Sequence, residues 1–393
     1  MQDFQFYAPT YFSFGKDGEQ SIGGLVKRFG GSKVLIHYGG GSIKKNGVFD
    51  KVVDSLNKSN IPFVELGGVM PNPRSGLVYE GIDLCRKEGV DFVLAVGGGS
   101  TIDSSKAIAA GVPYDGDFWD YYEDPSKAID VALPIGTVLT IAAAGSEGSG
   151  DSVVTKEEGM KKWDAHGEAI RPKFSILNPM NTCTLPEYQT ACGITDIMAH
   201  ICERYFTTTK NVEVTDRLCE GLMKALVEES PKVFIDSQDY DARANIMWAG
   251  MVAHNNIVGV DREQDWSSHQ IEHELSSLYD VAHGAGLAVI MPAWMTYVCE
   301  KNPDKFVQFA VRVWGCDMNF ENPEVTAREG IARFKEFLAS IGMPKNFADI
   351  GANAKDIDEM VDHLRISEEN KIGGYVKLSP NDVKEIFKIA AEA

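Results

Sequence analysis

The stretch DFVLAVGGGSTIDSSKAIAAG, residues 91–111, reads as a buried strand, a glycine turn and a helix in immediate succession. Asp91 to Val96 is short and rich in branched residues, as strands covered on both faces of a parallel sheet are. Gly97-Gly-Gly-Ser100 follows, and Thr101-Ile-Asp-Ser-Ser-Lys-Ala-Ile108 continues at helical spacing. Glycines let a backbone come close to a phosphate, and the first N–H groups of a helix point at it, so the unit has the form of an anion site.

A second copy lies upstream, where Lys33 to Tyr38 (KVLIHY) runs into Gly39-Gly-Gly-Ser42. One such turn usually only reverses the chain, whereas two at the carboxyl ends of strands in one sheet favour a nucleotide crevice. Neither copy completes G-x-G-x-x-G, because Lys44 and Ile102 stand at the third-glycine positions, so a variant of the dinucleotide fold is expected. Further strands are expected at Phe63 to Leu66 and Ile135 to Thr140. Between them Val48, Phe49, Val52, Val53 and Leu56, then Val78, Ile82 and Cys85, recur at helical spacing. This alternation implies βαβ units and a parallel sheet with helices on both faces. Leu139 to Gly150 (LTIAAAGSEGSG) has no bulky side chain after Ile141, so close packing against its backbone is expected. Ser152 to Lys156 and Phe174 to Leu177 read as a peripheral hairpin.

From Pro186 onward the β signals fade. Pro186-Glu187 opens a helix. Helical patterns follow over roughly 212–235, 239–258, 266–279, 286–299, 303–313 and 325–341, and a last helix starts after Ser379-Pro380. With 393 residues to divide, the expectation is an α/β dinucleotide-binding domain over 1–185 and an all-α domain over 186–393.

Asp plus Glu number 57 against 38 Lys plus Arg, and a net charge of -19 repels a phosphate backbone or an anionic bilayer. Neither nucleic acid nor membrane is expected as a partner. Seven cysteines, odd in number and without a C-x-x-C pair, argue against a disulfide framework and for a reducing compartment. The N-terminus has no basic region followed by an apolar run, and no window reaches the ~18 apolar residues of a membrane span. A cytoplasmic location is expected.

The helical half carries the chemistry. Ser267 to Gly286 (SSHQIEHELSSLYDVAHGAG) holds three of the eight histidines. His269 and His273 are four apart, as are Asp196 and His200, which puts each pair on one face of a helix. His283 precedes Gly284 and Gly286, where a helix end is expected. Together these residues offer a carboxylate and two or three imidazoles to one divalent ion. Either pair alone is as well explained by a solvated helix face, and spacing does not choose among the histidines.

The quoted motifs, with YGGGSIKKNGVFD (38–50), VGGGSTIDSSKAIAAG (96–111), GDFWDYY (116–122) and DWSSHQIEHELSSLYDVAHGAGLA (265–288), closely resemble the iron-containing, or group III, alcohol dehydrogenases over nearly the whole chain. Within that family the likeness is to the butanol dehydrogenase and broad aldehyde reductase branch. The fold implied is a Rossmann-like domain followed by a helical, dehydroquinate synthase-like metal domain. By position, the resemblance implies Asp196, His200, His269 and His283 as ligands of Fe2+ or Zn2+. His273 would lie beside the metal without coordinating, as a proton relay near the nicotinamide. Gly39, Gly40 and Ser42 would meet the adenine-ribose end of the cofactor, and Gly98, Gly99 and Ser100 the pyrophosphate. Asp103 and Lys162 would lie near the nicotinamide ribose, with Asp103 next to the chemistry. Thr140 and the Gly145-Ser146 turn would line the cofactor groove.

Relatives that prefer NAD carry Asp at the position of Gly40, where it repels a 2′-phosphate. Its absence, with Ser42, Lys44 and Lys45 at hand, implies NADP(H), with NAD(H) as the other option. Two departures stand out. Ala143 to Ser149 (AAGSEGS) replaces the usual A-T-G-[ST]-E-x-N, losing a hydroxyl at Ala144 and an amide at Ser149, and Asn178 stands where Asp is common.

The implied reaction is Lewis-acid-assisted hydride transfer between the nicotinamide and a short-chain primary alcohol or aldehyde such as butanol or butanal. Trp266, three residues before His269, is expected to wall the substrate pocket. A homodimer is expected from the homologous folds. Competing readings are an NAD-dependent polyol dehydrogenase, a lyase of the dehydroquinate synthase type, a metallohydrolase, and a non-catalytic nucleotide or metal sensor. The lyase needs a cluster of lysines and arginines for an anionic substrate, and the 267–286 stretch has none.

Overall fold

A computed structural model describes residues 1–392. They form two compact units, one of Tyr7–Leu185 with Ser237–Met251, the other of Met1–Phe6, Pro186–Asp236 and the chain from Val252 on. Two segments thus cross the division expected at 185. Ser237–Met251 packs in the α/β unit because Trp248 meets Phe12 and Phe14 edge-on, with ring centroids 6.3 and 5.7 Å away. Lys16 Nζ also lies 4.7 Å from the Tyr240 ring centre, and the Gln238 amide donates to the Cys183 carbonyl. The ring contacts join residues more than two hundred positions apart, beyond the reach of any local periodicity.

The α/β unit contains strands β1 (Tyr11–Phe14), β2 (Val34–Tyr38), β3 (Phe63–Leu66), β4 (Phe92–Gly97), β5 (Ile135–Leu139), β6 (Asp151–Lys156), β7 (Lys161–His166) and β8 (Phe174–Leu177). Its helices are α1 (Ile22–Arg28), α2 (Ser42–Lys45), α3 (Val48–Lys58), α4 (Ser75–Glu88), α5 (Gly99–Gly111) and α6 (Asp120–Glu123). Six strands form one parallel sheet in the order β1-β8-β5-β4-β2-β3, as the alternating pattern predicts. The hairpin is β6–β7, however, and not the pairing expected between 152–156 and 174–177. Phe174 to Leu177 is buried throughout and enters the main sheet between β1 and β5, as a strand covered on both faces does. Strand β1, an edge strand with no fully buried residue, carries too little apolar signal to be read in advance.

Side chains sort to the two faces with period two. Leu35 and Val93 pack with Ile82 of α4 and Ile108 of α5, while Val34, Ile36, Phe92, Leu94 and Val96 pack with Val52 and Leu56 of α3 on the other side. Burial of each such aliphatic side chain contributes about 1.5–3 kcal/mol. Among these apolar residues His37 on β2 is fully buried. Its Nδ1 lies 2.8 Å from the Leu66 carbonyl, which can only accept, so Nδ1 carries the proton and Nε2 accepts from Ser104 Oγ at 2.8 Å. One neutral ring therefore ties β2 to β3 and to α5.

The helical unit contains α7 (Glu187–Tyr205), α8 (Glu213–Ile235), α10 (Ser267–Tyr279), α11 (His283–Lys301), α12 (Asp304–Arg312), α13 (Pro323–Ser340), α14 (Ile357–His363) and α15 (Pro380–Glu392). Helix α9 (Tyr240–His254) begins in the α/β unit and ends in this one. Helix α7 is buried on every side from Thr190 to Tyr205, which makes it the central element. The helix end expected at Gly284 and Gly286 is a helix start. Helix α10 stops at Tyr279, Asp280 turns the chain with φ 53°, and α11 begins at His283. The two glycines serve close packing: a Cβ at 284 would collide with the backbone of Cys192 on α7, and one at 286 with the Glu272 carboxylate on α10. No helix of the described residues is long and apolar enough to cross a membrane.

Two buried polar clusters make testable statements. Burial pushes the His37 pKa from 6.5 down to about 4, against a smaller opposing effect of its hydrogen bond to Leu66. The unfolded chain therefore takes up the extra proton between those values. The stability tied to this neutral ring is complete above pH 6.5 and is lost as pH falls through 4. Denaturant titrations should show about 2 kcal/mol of this loss between pH 7 and pH 5. In His37→Gln, less stable at both pH values, that increment should be missing. Glu19 is buried and accepts from the side-chain amides of Asn178, at 3.0 and 3.2 Å, and Asn181, at 2.8 Å. The Asn178→Asp exchange puts two carboxylates face to face, so a loss of about 2–4 kcal/mol in denaturant titrations at pH 7 is expected.

Candidate functional site

In the α/β unit the chain passes from β2 outward to β3 and then returns to β4 on the other side of β2. Neighbouring strands β2 and β4 are thus left in opposite directions, and a crevice opens at their carboxyl ends. Both glycine turns lie there: Gly39, Gly40 and Ser42 follow β2, and Gly98, Gly99 and Ser100 follow β4. Thr140 follows β5, the next strand, with its N–H bonded to the Gly97 carbonyl at 3.0 Å. The two turns are not equivalent. Helix α2 after the first is a single turn, reached through Gly41 at φ 94°, whereas α5 after the second is 13 residues long. Aligned peptide dipoles and free N–H groups therefore favour an anion at Gly98–Ser100.

The small-residue stretch packs as expected. A Cβ on Gly98 would collide with Ile141, and one on Gly99 would sit 3.0 Å from Ala144 Cβ. Lys106, fully buried, spends its ammonium on Ser146 Oγ at 2.7 Å, the Ser149 carbonyl at 3.0 Å and the Asp151 carbonyl at 2.6 Å. Burial pulls its pKa down to about 8 against the attraction of Asp103 and Asp151. Asp103 accepts from Ser146 Oγ at 2.6 Å and from the Val153 N–H at 3.1 Å, and burial raises its pKa. Lys106 and Asp103, one helical turn apart, thus hold the 145–153 segment against α5. The loop departure at Ser149 falls on this anchor. Lys162 is buried on β7, across the hairpin from Thr155. Lys44 lies 2.8 Å from Glu65 and over the rings of Tyr38 and Phe49, so its charge is already matched.

In the helical unit α7 presents Asp196 and His200, α10 presents His269 and His273, and the start of α11 presents His283. Asp196 Oδ1 lies 3.5 Å from His200 Nδ1, 3.5 Å from His269 Nε2 and 3.7 Å from His283 Nε2. Two atoms ligating one tetrahedral ion at 2.0–2.2 Å stand about 3.4 Å apart, so this spacing suits a shared divalent cation. Asp196 Oδ1, His200 Nδ1 and His269 Nε2 are buried without a hydrogen-bond partner. Each such atom costs about 1–3 kcal/mol, a cost that ligation removes. The donor set therefore fits the metal that the resemblance implies. The ring of His273 is 5.8 Å from that of His283, and its nearest potential ligand grouping is with Glu272 and His283, not with Asp196.

The chain's own charges push the imidazoles apart. Burial, then His254, His269 and Arg204, hold His200 well below the ordinary histidine pKa. Burial also opposes charge on His269, but Glu203 and Asp196 outweigh it and raise that pKa to about 10.

Several residues at the site escaped the sequence reading. Glu203 and Glu272 are fully buried behind His269 and His283. Arg204 donates to the His200 carbonyl at 2.9 Å and to His254 Nδ1 at 3.0 Å, and the His254 ring lies 4.3 Å from that of His200. Trp266 packs on this group, with the Arg204 guanidinium 4.5 Å from its ring centre and the His269 ring at 5.6 Å. The signal for Glu203 was present, since it follows Asp196 by seven residues on the same helix face; no local signal marks His254.

Two family models match the chain: iron-containing alcohol dehydrogenase over residues 9–179, and the C-terminal part of the Fe-containing alcohol dehydrogenase family over 190–391. NADH-dependent butanol dehydrogenase A of Clostridium acetobutylicum is 42% identical over 389 residues, covering 99% of each chain. The NADPH-dependent aldehyde reductase YqhD of Escherichia coli is 34% identical, covering 99% of this chain and 100% of that one. The crystal structure of NADH-dependent butanol dehydrogenase A from Thermotoga maritima superposes with a TM-score of 0.95 at 42% identity, over 100% of this chain and 99% of that one. With both halves matched and relatives aligned end to end, the chain belongs to the iron-containing alcohol dehydrogenase family of oxidoreductases.

Proposed function

We propose that this protein is a metal-dependent alcohol dehydrogenase and aldehyde reductase that uses NADP(H), and also NAD(H), on short-chain primary alcohols and aldehydes such as butanol and butanal. The observation that carries the reading is the convergence of buried Asp196, His200 and His269 with half-buried His283 on one point, with unpartnered atoms on the first three that suit a divalent cation. Relatives of similar length are named butanol dehydrogenases and an aldehyde reductase.

The four residues would hold Fe2+ or Zn2+, which as a Lewis acid polarises the carbonyl of an aldehyde or acidifies an alcohol. Gly98, Gly99 and Ser100 bind the cofactor pyrophosphate at the start of α5. Asp103 and Lys106 keep the 145–153 segment in place for the nicotinamide end. His273, half-buried one turn beyond His269, moves the proton. Trp266, edge-on to the rings of His200, His254 and His269, shapes the space for an apolar chain. A homodimer is the assembly we assign to it.

Cofactor preference turns on one ion pair. Gly40 brings no carboxylate to repel a 2′-phosphate, which favours NADP(H), whereas Glu65 neutralises Lys44, a cation that would bind that phosphate. Use of both cofactors reconciles the two.

The test strips the protein of metal, restores Fe2+ or Zn2+ separately, and follows nicotinamide absorbance with butanal and NADPH or NADH. Metal-dependent oxidation of both cofactors is expected, falling at least about 100-fold in His269→Ala and His283→Ala and less in His273→Ala. Absence of turnover with either metal and either cofactor would remove the assignment. In Glu65→Gln the preference should move toward NADPH, several-fold in kcat/KM; an unmoved ratio would sink the ion-pair explanation.

A further inference from the structure

A polar bridge in the α/β unit lies beneath both glycine turns. His37 stands just before the turn that follows β2, and Ser104 comes one helical turn after Ser100, on the same face of α5. Both side chains are fully buried. The His37 Nδ1–H donates to the Leu66 carbonyl at 2.8 Å, and Ser104 Oγ donates to His37 Nε2 at 2.8 Å. Burial keeps the ring neutral at pH 7, so both bonds persist there.

The strand ladder does not reach the turns themselves. Pairing of β2 with β4 ends at Tyr38 opposite Val96, and among the described residues no hydrogen bond joins 39–42 to 97–101. Each turn is held from its outer side instead. The Gly68 N–H donates to the Gly39 carbonyl at 3.0 Å and the Val69 N–H to the Tyr38 carbonyl at 3.2 Å, so the chain leaving β3 carries the first turn. The Thr140 N–H donates to the Gly97 carbonyl at 3.0 Å, and Lys106 and Asp103 fasten α5 to Ser146, so the β5 side of the sheet carries the second. Leu66, His37 and Ser104 link the two supports. A ligand that spans two surfaces held at a fixed separation gains from both at once, whereas a ligand that touches one surface does not sense the separation.

Resting on the cofactor reading above, we propose that His37 and Ser104 are positioning residues that set the spacing of the two glycine turns for a nucleoside diphosphate. The ribose end of such a ligand meets Gly39–Ser42, and its diphosphate meets Gly98–Ser100. Loss of the bridge leaves α5 folded, because Ile108 still packs with Leu35, Ile82 and Val93 and Lys106 keeps its anchor. What is lost is the registration of one turn against the other.

Titration calorimetry on the metal-stripped protein tests this, with ADP and NADH as spanning ligands and adenosine and inorganic pyrophosphate as ligands of one turn each. Thermal midpoints are recorded for the same samples. Ser104→Ala removes the donor to His37. His37→Asn keeps a donor in reach of the Leu66 carbonyl but is too short for Ser104, whereas His37→Gln reaches Ser104 with an acceptor and gives up Leu66. Affinity for ADP and NADH should fall about 3–10-fold in Ser104→Ala and His37→Asn, with adenosine and pyrophosphate bound as by wild type. His37→Gln, though less stable, should bind ADP as wild type does, which a purely structural role would not allow. Spanning and single-turn ligands weakened alike, affinity that follows the thermal midpoint across the three variants, or unchanged ADP binding in both Ser104→Ala and His37→Asn would overturn the positioning role. A wild-type protein that binds neither ADP nor NADH would overturn the cofactor reading itself, a different outcome from equal binding by wild type and variants.

Discussion

Asp196 Oδ1 sits inside protein, on a helix buried on every side, with three imidazole nitrogens within 3.7 Å and no hydrogen bond of its own. A carboxylate oxygen left so is costly unless something charged or ligating answers it. Much of the helical unit serves that convergence. Asp280 in a left-handed turn sends the chain back so that His283 returns to the neighbourhood of His269. Gly284 and Gly286 allow the first turn of α11 to lie against α7 and α10. Asp265 accepts from the N–H groups of Ser267, Gly374 and Tyr375, so the start of α10 is tied to a distant part of the same unit.

The α/β unit solves a different problem with the same economy of buried charge. Its sheet order places two glycine turns at adjacent strand ends, and the longer helix after the second makes that turn the stronger anion site. Lys106 then supplies, from within the core, the cation that organises the loop beyond β5. It is saturated by one hydroxyl and two carbonyls, and Asp103 stands close enough to oppose part of the cost of burial. The Ala144 and Ser149 departures remove side-chain groups from this loop without removing its anchor, which reaches backbone carbonyls.

Part of the buried charge is matched within the protein, Lys106 with Asp103, and Arg262 with Asp216 and Asp261. Lys44 and Glu65 show the same matching at the surface.

The amino-acid sequence by itself determined the classes of structure and the chemistry on offer. The continuous apolar runs of β2 and β4, helical spacing in α3 and α4, and the repeated strand-to-glycine junction are local properties, set by where apolar side chains recur along a few residues. The four-residue spacings of Asp196 with His200 and of His269 with His273 were equally visible, as was the likeness to a known family. Only the tertiary structure decided which groups meet. Spacing offered His273 and His283 equally, and the turn at Asp280 is what carries His283 Nε2 to the Asp196 oxygen. Glycines that read as a helix end proved to be a packing surface, β8 left its expected hairpin for the centre of the sheet, and Trp248 drew part of a helical segment into the α/β unit. Glu272, Arg204 and His254 carry no local mark of function. Their roles exist only because desolvation, close packing and unmet hydrogen-bonding capacity act between segments that folding brings together, and those terms are not written into any one stretch of chain.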